Sequence, residues 1–205
     1  MKKQYRCLLA VLLVLALGMQ AHAQEAKASQ QAGAKPRACV IDMDGTIADE
    51  TARRAKAEAE CPKEKDPKGY YNIYFSPDLI AQDKPIEKSR EVLNRVSAQG
   101  VDIYYVSARS QKCLKASMKW IEDNKFPKGK WVYHRKGFKK SIEYKTDTIK
   151  EIRRKADVLF GVGDSDTDVE AYNNCGIKAI KVEVNSDKDW ERVKAEIEKI
   201  LAEKK

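Results

Sequence analysis

The feature that most constrains the fold is an alternation of short apolar segments with amphipathic segments, running from residue 37 to residue 201. Apolar runs predict five strands, at 37–41, 101–106, 130–133, 158–162 and 177–182. Apolar residues at helical spacing predict helices at 86–99, 114–121, 148–155, 166–174 and 190–201. Strands that alternate with helices pair in parallel through right-handed crossovers. The sequence therefore predicts an α/β fold, a doubly wound parallel five-stranded sheet with helices on both faces.

The N-terminus has the pattern of a cleaved secretory signal. Lys2, Lys3 and Arg6 precede a ten-residue apolar run at 8–17, and small residues flank position 22 just before Gln24. Ten apolar residues are too few to span a bilayer, so we expect no stable membrane anchor. We predict a signal peptide at 1–23, export to the periplasm or the medium, a flexible tether at 24–36 and one domain at 37–205.

Residue counts narrow the chemistry that the chain can perform. It holds 31 acidic residues but two histidines, His22 and His134, and His22 lies in the predicted signal peptide. A multi-histidine metal site is thereby excluded, and a nucleophilic mechanism that needs a histidine base is disfavoured. We expect His134 to be a strand-end or surface residue rather than a catalyst. Any metal must be bound mostly by oxygen ligands.

Polar residues follow three of the predicted strands, at the end where an α/β sheet binds its ligands. Asp42 and Asp44 follow the first strand, Ser107 follows the second, and Asp164 follows the fourth. Because the carboxyl ends of parallel strands meet at one edge, acids from distant positions come together there. Crowded carboxylates raise one another's pKa unless a cation lies among them. Carboxylate, water and phosphate oxygens suit Mg²⁺, so we predict a magnesium site that receives a phosphate.

Two other interpretations of these acids are weaker. The aspartates at 164, 166 and 168 resemble the start of an EF-hand calcium loop, but Val169 and Cys175 stand where that loop needs Gly and Glu. Capping of the following helix accounts for Asp166. Capping alone does not account for the acids after the first strand, so it does not explain both sites together.

The strand-end motifs, taken in order, resemble the haloacid dehalogenase-like (HAD) superfamily of phosphohydrolases. They are Asp-Met-Asp-Gly-Thr at 42–46, Ser-Ala-Arg at 107–109, a lysine, and Gly-Asp-Ser-Asp-Thr-Asp at 163–168. The resemblance covers residues 37–185. The second and last motifs are similar to those of members with a small cap or none, namely secreted acid phosphatases, lipin-like phosphatidate phosphatases and polynucleotide-kinase-type end phosphatases.

The resemblance implies a role for each acid. Asp42 would attack phosphorus and form an aspartyl-phosphate, and Asp44 would protonate the leaving oxygen and then deprotonate the hydrolytic water. Mg²⁺ would be held by the Asp42 carboxylate, the Asp44 main-chain carbonyl and Asp164. Asp168 would support the lysine or a metal-bound water.

The resemblance also implies groups that bind the phosphate of the substrate. Ser107 would hydrogen-bond the phosphoryl group, together with backbone N–H groups that extend to Thr46, and Arg109 is a further candidate. Lys145 would supply the ammonium group, and Lys150 is the alternative that the sequence leaves open.

The segment at 47–85 is an insert that begins directly after the first motif. Because that motif lies at the site, we expect the insert to lie over the mouth of the site. With fewer than 40 residues it is too small for a full cap domain. It can still contribute substrate contacts, for which Arg53, Arg54, Tyr70 and Tyr71 are the candidates.

Four cysteines follow the predicted signal peptide, and none forms a Cys-x-x-Cys pair. An exported protein can keep disulfides. If one bridge forms, we expect it between Cys61 and Cys113, where it would tie the insert to the body. Cys39 lies in an apolar strand and fits a buried free thiol.

Positive charge concentrates at 128–155, where 11 Lys and Arg face 3 Asp and Glu. We favour a solvated surface there over a rim that attracts an anionic substrate. The whole pattern predicts an exported, magnesium-dependent phosphomonoesterase that hydrolyses a small-molecule or lipid phosphoester. A nucleic-acid-end phosphatase and a non-catalytic phospho-ligand-binding protein on the same fold are the alternatives, and the oligomeric state stays open.

Overall fold

Strands and helices alternate along the chain in the computed structural model, which describes residues 34–137 and 139–204. The strands are β1 (Arg37–Ile41), β2 (Ala48–Asp49), β3 (Lys84–Pro85), β4 (Asp102–Ser110), β5 (Trp131–Arg135), β6 (Asp157–Gly163) and β7 (Lys178–Lys181). The helices are α1 (Thr51–Glu60), α2 (Pro67–Tyr74), α3 (Pro77–Ile80), α4 (Glu87–Ala98), α5 (Leu114–Asp123), α6 (Ser141–Lys155), α7 (Asp166–Asn174) and α8 (Trp190–Glu203).

Five of these strands form one sheet, in the order β5-β4-β1-β6-β7. Every neighbouring pair in it is parallel. The chain runs outward from β1 to one edge and then returns to build the other, which confirms the predicted doubly wound sheet. The point where the strand order reverses lies beside β1, where this kind of sheet opens a crevice for a ligand.

Helices cover both faces of the sheet because successive residues of each strand point to opposite sides. In β1, Cys39 and Ile41 pack in one core cluster, whereas Ala38 and Val40 pack in another. Residues of α4, α5 and α8 complete the first cluster, and residues of α6 and α7 complete the second. A strand buried on both faces has a continuous apolar sequence, and this is why the bounds of β1 were predicted correctly.

The two largest differences between predicted and observed boundaries arise where polar residues occupy buried positions. Helix α6 begins at Ser141 rather than at 148, since Ile142, Ile149 and Ile152 form one apolar stripe. Lys145 interrupts that stripe in the sequence, so the first turns of the helix were missed. Strand β4 continues to Ser110 rather than ending at 106, because Arg109 is buried within it.

The insert is closed at its base by a short antiparallel ribbon, in which β2 pairs with β3. Between these strands lie α1, α2 and α3. A separate core cluster holds the insert together and includes Ala57, Tyr74, Phe75 and Ile80, with Cys113 joining from the body. The insert is therefore packed against the body through shared apolar contacts.

The expected disulfide between Cys61 and Cys113 is wrong. Both thiols are free, as are those of Cys39 and Cys175 among the described residues. Cys113 is fully buried, and its Sγ donates to the carbonyl oxygen of Phe75 at 3.0 Å. The connection between body and insert that we expected from a covalent bridge is made instead by this hydrogen bond and by packing.

The predicted signal peptide at 1–23 and most of the tether at 24–36 lie outside the described residues. Within residues 34–137 and 139–204, no helix is both long and apolar enough to cross a membrane.

Candidate active site

The predicted site residues meet at the carboxyl end of the sheet, beside the switch point. Asp42 directly follows β1, and its N–H donates to the Val162 carbonyl of β6 at 2.9 Å. Asp164 directly follows β6. The register between the two central strands therefore brings the first and last motifs together.

Three carboxylates form a cluster that can hold a cation. Asp42, Asp164 and Asp168 each offer an oxygen, and these atoms lie within 4.8 Å of one another. The buried Thr46 hydroxyl lies between two of the three groups, 3.1 Å from Asp164 Oδ1 and 3.4 Å from Asp42 Oδ2. Thr46, predicted as part of the phosphate-binding loop, thus has a side chain that joins the two motifs.

Gly45 permits the close approach of the two loops. Its φ is +75°, a left-handed conformation that glycine adopts without a steric penalty. A Cβ at this position would stand 2.8 Å from Asp164 Oδ2, closer than real Cβ contacts allow. Glycine is therefore required both by the backbone turn and by the neighbouring carboxylate.

Lys145 reaches this cluster from α6. Its Nζ donates to Asp42 Oδ1 at 2.7 Å and also contacts Asp168 Oδ1. Lys145 is 4% exposed, whereas Lys150 on the same helix is exposed. The sequence predicts Lys145 ahead of the helix at 148–155. In the structure the helix begins earlier, and Lys145 lies in its second turn.

Asp168 is held in place by the start of α7. Ser165 caps this helix, because its side chain accepts the Asp168 N–H while the Asp168 carboxylate accepts from Ser165. The sequence had assigned helix capping to Asp166. That side chain is instead 94% exposed and pairs with Lys181 at 2.6 Å.

The pKa values of the cluster follow from burial and mutual repulsion. Burial raises the pKa of Asp42 well above its usual range; Lys145 opposes this shift, and Asp168 adds to it. Burial, followed by the charge of Asp168, raises the pKa of Asp164 to about 6. For Lys145, burial lowers the pKa, but the charges of Asp42 and Asp168 outweigh it and the pKa is raised. These are the shifts expected of buried, crowded carboxylates whose charge a single lysine offsets only in part.

Asp44 has different partners from the other acids. Arg109 donates to it from Nε at 2.9 and 3.1 Å and from Nη2 at 2.6 Å, and Arg53 Nη2 contacts its Oδ1. Burial alone would raise the pKa of Asp44, but the charges of Arg109 and Arg53 hold it well below its usual range. Asp44 is therefore ionised in the free protein.

Ser107 and Arg109 are both fully buried near the end of β4. The Ser107 hydroxyl accepts the Arg109 N–H at 3.2 Å, which orders the end of this strand. The Arg109 side chain hydrogen-bonds Asp44. This hydrogen bond of Ser107, by contrast, stays within its own strand.

The insert residues proposed as substrate contacts have varied surroundings. Arg53 and Tyr70 are buried, whereas Tyr71 is 41% exposed. The exposed Arg54 guanidinium pairs with Glu50. Arg53 instead pairs with Asp44 and with Asp83, an acid that sequence reasoning missed. Arg53 and Ala57 both face inward at helical spacing, and this is the one pattern that could have indicated a buried Arg53.

His134 lies at a strand end, as expected, but it is not a surface residue. It is 4% exposed, and its Nδ1 lies 3.1 Å from the Ser110 carbonyl oxygen. Its Nε2 is buried without a hydrogen-bond partner. Burial, reinforced by the charge of Arg109, lowers the pKa of His134 to about 4, so the ring is neutral near pH 7.

The charge balance of the site fits a divalent cation. Its hydrogen-bonded networks contain five carboxylates and three cationic side chains, so the site carries an excess of two negative charges when every carboxylate is ionised. The three clustered carboxylates offer hard oxygen ligands, which Mg²⁺ and similar ions prefer. A bound divalent cation would both neutralise this excess and relieve the raised pKa values of Asp42 and Asp164.

Sheet order and strand-end acids together define an α/β fold of the HAD type, with a small insert after β1. Residues 14–192 match the family described as HAD superfamily, subfamily IIIB (acid phosphatase). The chain belongs to this family. The resemblance seen in the sequence motifs is thereby confirmed.

Solved structures show the same fold. A class C acid phosphatase from Bacillus anthracis with tungstate bound has a TM-score of 0.54 and 21% identity, with 91% of this chain and 87% of that chain covered. A haloacid dehalogenase-like family hydrolase from Streptococcus pneumoniae has a TM-score of 0.56 and 12% identity, with coverage of 77% and 90%. No curated protein matches the sequence.

A chain of the Pnkp1/Rnl/Hen1 RNA repair complex is also similar, with a TM-score of 0.58 and 18% identity. The match covers 73% of this chain but 43% of that chain. At these identities the similarity extends to the fold alone.

Proposed function

We propose that this protein is an exported, magnesium-dependent phosphomonoesterase that works through an aspartyl-phosphate formed on Asp42. The observation that carries the proposal is the buried contact between Lys145 Nζ and Asp42 Oδ1 at 2.7 Å, beside two further carboxylates. A carboxylate and a dianionic phosphate repel each other. An ammonium group that touches the attacking oxygen offsets that repulsion where the bond to phosphorus would form.

The reaction has two steps. A carboxylate oxygen of Asp42 bonds to phosphorus while the bond to the leaving oxygen breaks, and Asp44 gives that oxygen a proton. Asp44 then takes a proton from water, whose oxygen displaces the Asp42 carboxylate from phosphorus. The arginine pair favours the charged Asp44 that the second step needs. The first step needs a protonated Asp44, and a phosphate ester that binds as its monoanion can supply that proton, because its negative charge competes with Asp44 for the same guanidinium groups.

Mg²⁺ is the cation that we propose for the acidic cluster. The Asp42 carboxylate, the Asp44 main-chain carbonyl and Asp164 would hold it, and Thr46 would keep the two carboxylate-bearing loops together. When bound, the ion supplies positive charge against the phosphate oxygens. Asp168 is bonded to Lys145 and Ser165, which supports its role in fixing the lysine.

The charge pattern favours a small-molecule or lipid phosphoester over a nucleic-acid end. Within the basic segment 128–155, Lys145 belongs to the site itself. Lys139 pairs with Asp147, and Lys155 pairs with Glu151 at 2.8 Å. These pairs leave less free positive charge than the sequence count suggested, and binding to a phosphate backbone depends on such charge.

The test is phosphate release from p-nitrophenyl phosphate by the wild-type protein, before and after chelation and again with added Mg²⁺. We expect activity that is lost on chelation and restored by Mg²⁺. Asp42→Asn should abolish turnover. Asp166→Asn is the matched control, because Asp166 belongs to the same motif loop as Asp164 but its side chain is 94% exposed.

Three results would contradict the proposal. Turnover by Asp42→Asn would exclude the aspartyl-phosphate, and activity that ignores chelation would exclude the metal. A wild-type protein that binds orthophosphate but hydrolyses no ester would be a non-catalytic binder. Export has its own test. When the full chain is expressed with a functional secretion system, N-terminal sequencing of the secreted form should show that it starts near Gln24.

A further inference from the structure

A buried network of four charged side chains connects the insert to the Asp44 side of the site. Asp83 lies at the end of the insert, just before β3, and its side chain is 2% exposed. Arg53 Nε donates to both of its oxygens, at 2.8 and 3.0 Å, and Arg109 Nη2 donates to Oδ2 at 3.2 Å. One carboxylate thus orients two guanidinium groups that come from different parts of the fold.

Both guanidinium groups also pair with the Asp44 carboxylate. Their side chains are at most 1% exposed, whereas the Asp44 side chain is 18% exposed. The network therefore has a buried end at Asp83 and a more open end at Asp44. The more open end holds the carboxylate to which the proposed function gives the proton transfers.

Asp83 is itself fixed by the body of the protein. The buried Trp120 indole donates to its backbone carbonyl at 2.8 Å, and the following residue, Lys84, pairs with Asp49 in the ribbon. Other contacts fix the arginines as well. Arg109 Nη1 donates to Ser117 Oγ at 2.8 Å, and Arg53 Nη1 donates to the Tyr74 carbonyl at 3.1 Å.

These contacts leave the two guanidinium groups little rotational freedom. Arg53 also lies over the Tyr74 ring, with Cζ 4.2 Å from its centroid. Proton transfer requires the carboxyl oxygen to lie within hydrogen-bond reach of the reacting oxygen in a defined direction. A carboxylate held by two rigid guanidinium groups meets that requirement, whereas a freely rotating one does not.

We propose that Asp83 is a positioning residue for the reaction: it aligns Arg53 and Arg109, and this pair holds Asp44 in the orientation from which it exchanges a proton with the leaving oxygen. The inference rests on the proposed function of Asp44. It adds two insert residues, Arg53 and Asp83, to the groups on which turnover depends. It also explains why the insert is tied to the body by charge as well as by apolar packing.

The test uses the dependence of kcat/KM on the leaving group. A p-nitrophenolate leaves with little help from an acid, whereas an alkoxide needs a proton as the P–O bond breaks. Asp83→Asn keeps the shape of the side chain but turns an amide N–H₂ toward a guanidinium. We expect kcat/KM for an alkyl phosphate to fall by about 30-fold and that for p-nitrophenyl phosphate by less than about 3-fold.

Three further variants complete the test. Asp44→Asn should show the same selective loss in kcat/KM, which reports the first step, and should also lower kcat for both esters, because the second step loses its base. Asp83→Glu should recover part of the selective loss. Asp78→Asn, an exposed acid in α3 of the same insert, should leave both substrates unaffected. If Asp83→Asn does not fold, Arg53→Lys takes its place, since lysine keeps the charge but cannot bridge both carboxylates in the same plane; the same selective loss is expected.

A purely structural role predicts a different result. Loss of folded protein or a loosened insert would lower kcat/KM for both esters by the same factor, and equal losses would overturn the inference. Wild-type rates in a folded Asp83→Asn variant would overturn it as well. Failure of the wild-type protein to hydrolyse either ester would instead refute the proposed function.

Discussion

Replacing Lys145 by methionine tests the electrostatics of the site directly, because the Lys145 ammonium touches both Asp42 and Asp168. The Lys145 and Asp42 side chains are each 6% exposed, and that of Asp168 is 1% exposed. Removing one partner of a buried ion pair leaves an uncompensated charge and costs about 3–5 kcal/mol. Here two carboxylates lose their partner, so we expect about 4 kcal/mol of lost unfolding free energy at pH 7 without metal.

Urea unfolding, followed by tryptophan fluorescence, measures this loss. The matched control is Lys150→Met on the same helix, which should change stability by less than about 0.5 kcal/mol because Lys150 is exposed. Mg²⁺ should restore part of the loss in Lys145→Met, since a cation among the carboxylates replaces the missing charge. If Lys145→Met and Lys150→Met have the same unfolding free energy in the presence of a chelator, the buried ion pair does not stabilise the fold. Our electrostatic account of the site would then be wrong.

The pH dependence of the same variant has a defined sign. Without the ammonium, the pKa of Asp42, already raised by burial, rises further. The folded variant then binds protons more tightly than the unfolded chain, so its stability falls as pH rises above the ordinary aspartate value of 3.8. The wild type also loses stability as its own raised Asp42 pKa is approached, so the stability gap between wild type and Lys145→Met should widen as pH rises through the wild-type Asp42 pKa. A gap that narrows over this range would contradict the assignment.

Three further predictions concern other parts of the site. Burial lowers the pKa of His134 from 6.5 to about 4, so the contribution of this histidine to wild-type stability should fall by up to about 3 kcal/mol as pH drops from 6.5 to 4, and His134→Asn should remove that part of the slope in urea titrations. Gly45→Ala should cost about 1–3 kcal/mol and most of the activity, whereas Gly100→Ala, with a similar φ of +74° and nothing within 4 Å of its Cβ, should cost stability alone. Mg²⁺ at 100 times its Kd should raise the unfolding free energy by about 2.7 kcal/mol, and Asp164→Asn should abolish most of this gain.

The sheet and the metal cluster could be predicted because each depends on a local pattern. A strand buried on both faces has a continuous apolar sequence. In a parallel sheet, the residue after such a strand lies at the carboxyl edge, and this position does not depend on contacts with distant parts of the chain. This local pattern is enough to place Asp42 and Asp164 at one edge of the sheet. The scarcity of histidine, with two in the chain, then favoured oxygen ligands for the same edge.

Buried charges within helices and strands were harder to predict, since they break the apolar patterns that reveal an element. Because Lys145 interrupts an apolar pattern, the first turns of α6 were not predicted. Arg109 had the same effect on the end of β4. Each is buried because it has a partner elsewhere in the fold, and no local spacing indicates such a partner.

By itself, the sequence determined the order of strands and helices, the family motifs and the acids at the strand ends, since these follow from periodicity and chain direction. Tertiary structure alone decided which charges pair. It joined Arg53 to Asp83 across 30 residues and Arg109 to Asp44 across 65, and it left Cys113 as a hydrogen-bond donor rather than a bridge. The physical reason is that a buried charge or thiol is stabilised by whichever group packing brings within about 3 Å, and that distance is set by the whole fold rather than by neighbours in the chain.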